Sequence, residues 1–222
     1  MKKLLSSGKN NTKTAKNSME TYYLSLQPVK QNSMNENLCK FSTKECRTAC
    51  LQFTGRQSFS NVVSSRSRKT EMFVTQRKEF LEALWKELKD LGKCAVRLNL
   101  LSDVDWELEF LKIDKKLSEL SDIQFYDYTK DHFKIYTTSK NYHLTLSYSG
   151  YNWMHCKQAL EKGINVAVVF KGEIPLTYEG FEVVKGDESD ERFLDRKGVI
   201  VGLRYKTPKG VSYEKNKFVV EV

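Results

Sequence analysis

Ile164-Asn165-Val166-Ala167-Val168-Val169-Phe170 is the stretch on which the fold turns. It is apolar at every position but Asn165 and shows no alternation. A strand that is apolar on both sides of its pleat has to be covered on both faces, as inside a parallel sheet flanked by helices. The run before it, Asn152 to Glu161, reads as a helix capped by Asn152 and stopped by Gly163. Helix followed by buried strand is the repeating unit of an α/β protein.

Outward from this pair the same alternation recurs. Upstream, Thr21 to Leu26, Cys94 to Leu100, Ile123 to Tyr128 and Tyr142 to Ser147 read as strands. Between them, Glu71 to Leu91 has helical periodicity, with Phe73, Phe80, Leu81, Leu84 and Leu88 on one side and Gly92 as its stop. Trp106 to Leu120 reads as a second helix, and a shorter helical stretch follows Lys130. Downstream, Lys171 to Lys197 is irregular apart from a short strand at Phe181 to Val184, and Val199 to Arg204 is the sixth main strand. The expectation is an α/β fold, either a partial (β/α)6 barrel of the TIM-barrel-like kind or an open parallel sheet, with a cysteine-rich loop after strand one.

In both architectures function gathers at the carboxyl ends of the strands. That rule selects Asn99, Ser102 and Asp103 after the second strand, and Asp127, Thr129 and Lys130 at the third. It also selects Ser147 and Ser149 after the fourth and Lys206 after the sixth. Each alone reads better as an ordinary loop residue; as a converging ring they are candidates to line a pocket.

The length of 222 residues fits one large domain with a full core. Residues 1–19, with five lysines and no acid among the first seventeen, read as a flexible basic leader before a single α/β domain over 20–222. Lysine and arginine exceed aspartate and glutamate by 37 to 28, a formal charge of +9. Such a field favours nucleic acid, nucleotides or other anions as partners. No stretch reaches the roughly 20 apolar residues of a membrane helix, and no hydrophobic signal region follows Met1 to Leu5. A cytoplasmic protein is expected, whose five cysteines are reduced thiols or metal ligands.

Three of those cysteines, Cys39, Cys46 and Cys50, fall in the order C-x6-C-x3-C directly after the first strand. Thiolates so spaced can wrap a soft metal centre. Three ligands suit a [4Fe–4S] cluster with one iron open to a substrate or cofactor. Zinc is the alternative and would take a fourth ligand, Cys156 or His155. Cys94 opens a strand and reads as core; Cys156 shares a helical face with Trp153 and Leu160 and also reads as packing. Radical S-adenosylmethionine enzymes carry a cluster loop at this place in a six-unit barrel. Their spacing is C-x3-C-x2-C, and the glycine-rich element they often show after strand two is replaced here by Asn99-Leu100-Leu101-Ser102-Asp103.

Further motifs run along most of the chain, from about Tyr22 to Lys206. They include Cys39-x6-Cys46-x3-Cys50-Leu51 with Gly55-Arg56, Ser65-Arg66-x-Arg68-Lys69-Thr70, and Val96-Arg97-Leu98-Asn99-x2-Ser102-Asp103. Phe125 to Lys130, Tyr142 to Thr145, Asn165 to Phe170, Gly186-Asp187-x2-Asp190-x-Arg192-x2-Asp195 and Val201 to Arg204 complete the set. In these the chain resembles the phage "gene product 88-like" proteins. The resemblance implies a phage or prophage origin and carries no activity with it.

Two other features attract attention. Arg56, Arg66, Arg68, Lys69 and Arg77 form a basic run whose guanidinium forks suit phosphate or carboxylate, or a solvated helix start. Gly186 to Asp195 gathers five acids around Arg192, as an exposed turn or an acidic lid. The functional expectation is an iron–sulfur enzyme acting on a nucleotide, nucleic acid or S-adenosylmethionine-like ligand. Asn99, Asp103, Asp127, Lys130 and Ser147 would be its catalytic groups, and Arg56, Arg66, Arg68 and Lys206 would bind the ligand. The alternative is a metal-stapled binding module that contacts nucleic acid or host components without catalysis.

Overall fold

The computed structural model describes residues 3–10, 14, 17–136, 138–207 and 214–222. The chain is mixed α/β and divides into two compact units. Unit 1 comprises Met1–Lys40, Ser60–Asp127 and Thr138–His143; unit 2 comprises Phe41–Phe59, Tyr128–Thr137 and Leu144–Val222. Among the described residues no helix is long and apolar enough to cross a membrane.

In unit 1, β1 (Ser6–Ser7) pairs antiparallel with β2 (Thr21–Tyr23). β2 runs parallel to β3 (Cys94–Arg97), and β3 parallel to β4 (Ile123–Thr129), with Thr21 opposite Ala95 and Val96 opposite Phe125. The helical layer is not the single rod that the apolar periodicity predicts. α2 (Ser60–Thr75) and α3 (Arg77–Lys89) meet at Gln76, whose φ of −134° and ψ of 57° leave the helical region. The aromatic core gives the reason. Seven residues of a straight helix rise about 10.5 Å, yet Phe73 and Phe80 meet edge to face at a ring separation of 5.2 Å. Trp106 completes that cluster, 5.3 Å from Phe73, and burying three large rings together outweighs one helical hydrogen bond.

Trp106 also begins α4 (Trp106–Leu111), which is shorter than the expected run to Leu120. Asp105 caps its start by accepting from the Leu108 amide. Its end is a Schellman turn: Asp114 sits at φ 55°, and the Lys115 amide reaches back to the Phe110 carbonyl. Leu117 and Leu120 keep helical spacing from outside the helix, which is why periodicity overran.

Part of the expected flexible leader is anchored in unit 1. Leu4 and Leu5 are buried. The Glu87 carboxylate accepts their backbone N–H groups at 2.7 and 2.9 Å, and the Lys69 amine donates to the Leu4 carbonyl at 3.0 Å. Burial, and next the charge of Arg68, push that amine down to about 8.

Unit 2 is built on β6 (Val166–Lys171), the strand read first in the sequence. One edge of β6 is covered in parallel by β9 (Ile200–Arg204), from Val166 opposite Ile200 to Phe170 opposite Arg204. The other edge is shared. β5 (Tyr142–Ser147) takes its first half and β10 (Val219–Glu221) its second. β8 (Phe181–Lys185) lies parallel to β9, and β7 (Thr177–Tyr178) closes a hairpin on β8. α5 (Trp153–Glu161) ends at Gly163, φ 80°, where expected.

The partial barrel is not what forms. Each ladder is open and ends in a two-residue antiparallel strand, β1 in unit 1 and β7 in unit 2. A barrel needs every strand paired on both sides. The remaining expectation, an open and mostly parallel sheet, is the one the chain satisfies.

Packing against β9 is tight at Gly202. A Cβ there would stand 2.5 Å from the Ile174 side chain and 2.8 Å from that of Val183. Gly202→Ala is therefore expected to destabilise the protein by about 1–3 kcal/mol through overpacking. Urea unfolding measures this, and an unchanged midpoint would contradict the packing described.

Candidate functional site

Parallel pairing of β3 and β4 sets their carboxyl ends side by side in unit 1, and two of the expected site residues meet there. The Asp127 carboxylate accepts the Asn99 backbone N–H at 2.8 Å, the Asn99 amide at 3.3 Å and the Tyr142 hydroxyl at 2.6 Å. The Arg97 Nε stands 3.8 Å away. The Asn99 carbonyl in turn accepts from the Ser102 hydroxyl, the Val104 amide and the Trp106 indole, all within 3.1 Å. Asn99, Ser102, Asp127 and Tyr142 are all buried. Burial first, and then Asp127, hold the Tyr142 phenol well above its ordinary range, so it remains a donor.

Both oxygens of Asp127 are engaged by fixed donors, which makes this cluster a staple for the loop after β3. A general base would need an oxygen open to a substrate proton. Asp103 is half-buried beside it, its amide donating to the Leu38 carbonyl at 2.7 Å. That bond ties the loop to the chain entering Cys39, which is buried.

The other two loop cysteines belong to unit 2. α1 (Lys44–Thr48) carries Cys46, buried, and Cys50 follows two residues past its end, half-buried. Thr43 caps α1 by accepting from the Cys46 amide at 3.1 Å and donates to the Ser149 carbonyl at 2.8 Å. The segment is thereby fixed to the carboxyl end of β5. Asn152 acts at the same place: its side chain accepts from the Ser149 amide and donates to the Ser147 carbonyl instead of capping α5. Lys130 is half-buried just past β4, and Lys206 is exposed two residues past β9.

Among the described residues no set of three or more histidine, cysteine, aspartate or glutamate side chains is placed as a group that could hold a metal. Cys94 and Cys156 are packing residues as expected, their thiols pushed by burial up to about 11 and about 12.

The basic run does not form one phosphate-facing surface. Arg66 and Lys69 are buried, the first donating to Gln27 at 2.8 Å and the second to Leu4. Arg77 lies 4.0 Å over the Phe73 ring and pairs with Glu36 and Glu109. Arg68 is half-buried in unit 1, and Arg56 is exposed in unit 2. The acidic stretch folds on itself: buried Arg192 pairs with Asp195 at 3.2 Å and donates to the Ser189 carbonyl, while Asp187 accepts from the Arg204 amide.

Sequence reasoning passed over one stretch of unit 2. Phe41, Phe53 and Phe59 are each more than 40% exposed on the cysteine segment, among the exposed cations Lys44, Arg47 and Arg56. Glu45 is the sole acid between Phe41 and Phe59, and it accepts from the Tyr151 hydroxyl at 2.7 Å. Lys217 stands over that ring at 4.8 Å. The sequence signal for it is aromatics interleaved with cations.

If Asp127 is a staple, Tyr142→Phe should cost about 2 kcal/mol in urea unfolding, since it strips a hydrogen bond from a buried carboxylate. The same substitution made on Asp127→Ala should cost far less. Equal costs in both backgrounds would mean the two side chains are not coupled.

No curated protein and no solved structure matches the chain. A family model described as Gene product 88 matches residues 3–220, nearly its full length. The chain belongs to the Gene product 88 family of phage proteins.

Proposed function

We propose that the chain is a nucleic-acid-binding phage protein that acts by contact rather than catalysis, through the ring-bearing basic face of unit 2. The observation that carries this reading is the exposure of Phe41, Phe53 and Phe59 among Lys44, Arg47 and Arg56. Large rings left in water mark an interaction surface. Rings alternating with cations suit nucleic acid, because every base has a π-face and every nucleotide a phosphate. The overall charge of +9 favours the same class of partner. Catalysis is less well supported, since Asn99 and Asp127 satisfy one another and their loop.

The test is fluorescence anisotropy with a labelled single-stranded oligonucleotide over a salt series. Binding should weaken steeply with salt, with a log–log slope of about −0.7 per phosphate contact. Arg47→Ala and Arg56→Ala should each reduce that slope by about one contact. Absence of binding at about 50 mM salt, where such contacts are strongest, would sink the proposal.

A second reading keeps the three-cysteine centre, as iron–sulfur or zinc. It is favoured by one observation: Cys46 and Cys50 are four positions apart in a single short segment, so ligand and helix end are close in sequence. On this reading the sequence run Cys39, Cys46 and Cys50 supplies the ligands, with an S-adenosylmethionine-like ligand as the partner. Protein purified without oxygen should then hold stoichiometric iron and sulfide, or one zinc, and Cys46→Ser should lose it. Metal-free protein that binds the oligonucleotide normally would leave the contact function alone standing.

A further inference from the structure

The turn after β4 and the start of α5, both in unit 2, carry an open-ended stack of rings. His132 contacts two others. The His155 ring is 3.7 Å away and nearly parallel at 14°, and the Phe133 ring is 4.1 Å away and tilted by 38°. Phe133 ends the stack in solvent at 70% exposure, the most exposed aromatic ring among the described residues. Two imidazoles can approach this closely when at least one is uncharged. Burial, and next the neighbouring His155, hold His132 below the ordinary histidine range, with Asp131 acting weakly the other way. Phe133 makes little use of the hydrophobic effect, because most of its ring remains in water.

The surroundings supply cations and more rings. Lys162, just past α5, stands 4.7 Å over the Tyr136 ring in the same turn as Phe133. Tyr151, just before α5, is 59% exposed and has Lys217 over it.

We infer that this stack is a platform for the unpaired bases of a single-stranded nucleic acid, with a base continuing the ring series on Phe133. On this inference Lys162 and Lys217 supply charge to the flanking phosphates. The inference rests on the nucleic-acid reading and deepens it. A contact made by basic residues alone tolerates duplex and single strand alike, whereas a ring stack requires a base that is free to leave its partner.

The experiment compares three ligands of one length and sequence on the full chain: a single strand, its duplex, and the single strand made abasic. The stack predicts that wild type prefers the single strand to the duplex by about tenfold. Phe133→Ala should lose about tenfold on the single strand, leave the salt slope and duplex affinity unchanged, and have no effect on the abasic strand. Phe133→Trp should retain affinity and Phe133→Leu should not, which separates stacking from apolar contact. Far-ultraviolet circular dichroism and melting of each variant establish that it is folded.

Loss of affinity by Phe133→Ala on duplex and abasic strand as well would overturn the stack. So would full affinity in Phe133→Leu, or no loss in Phe133→Ala. In each of these cases salt-dependent binding by wild type would leave the broader nucleic-acid reading in place. Wild type that binds none of the three ligands overturns both.

Discussion

A parallel strand buried on both faces must also find hydrogen-bond partners along both edges, and in unit 2 that demand falls on Val166–Lys171. β9 meets it on one side for the whole length of the strand. On the other side β5 ends at Ser147, opposite Ala167, and the last residues of the chain return as β10 to take over at Val169. The chain's C-terminal segment is thus part of the sheet's hydrogen bonding. The tightness that follows appears at Gly202, where Ile174 and Val183 occupy the space of a side chain.

The same requirement has a polar side at the strand ends. Parallel strands finish together, and the loops leaving them carry amides that the ladder no longer pairs. In unit 1 Asn99 and Asp127 take up that role, with Asn99 satisfying Ser102, Val104 and Trp106 while Asp127 satisfies Asn99 and Tyr142. In unit 2, Thr43 and Asn152 do the equivalent work around Ser147 and Ser149. Polar residues past strand ends are the usual mark of an active site in such folds, and here many of them hold the loops that a site would be built on.

Much of the fold was legible. The six main strands are all present, because runs such as Val166 to Phe170 are long enough to demand two covered faces without knowledge of the neighbours. Helix ends were less legible. The apolar period ran on through Gln76, where the meeting of Phe73, Phe80 and Trp106 breaks the rod, and past Leu111, where the turn at Asp114 ends it. Barrel or open sheet was undecidable from strand order, since both use the same βα units. The candidate site divided in the same way. Asn99 and Asp127 were picked out by position and do meet, whereas Arg66 and Lys69 read as surface cations and are buried.

The sequence by itself determined the class of the protein: alternating α/β elements, a parallel core around residues 166–170, a basic balance, and the family motifs. These depend on composition and on spacing within a single element. Tertiary structure alone decided which charges face solvent and which are used internally, and which rings are left exposed. Burial of a side chain is set by residues distant in sequence, as Lys69 is by Leu4 and Asp127 by Tyr142. No local pattern of charge or hydropathy carries that information.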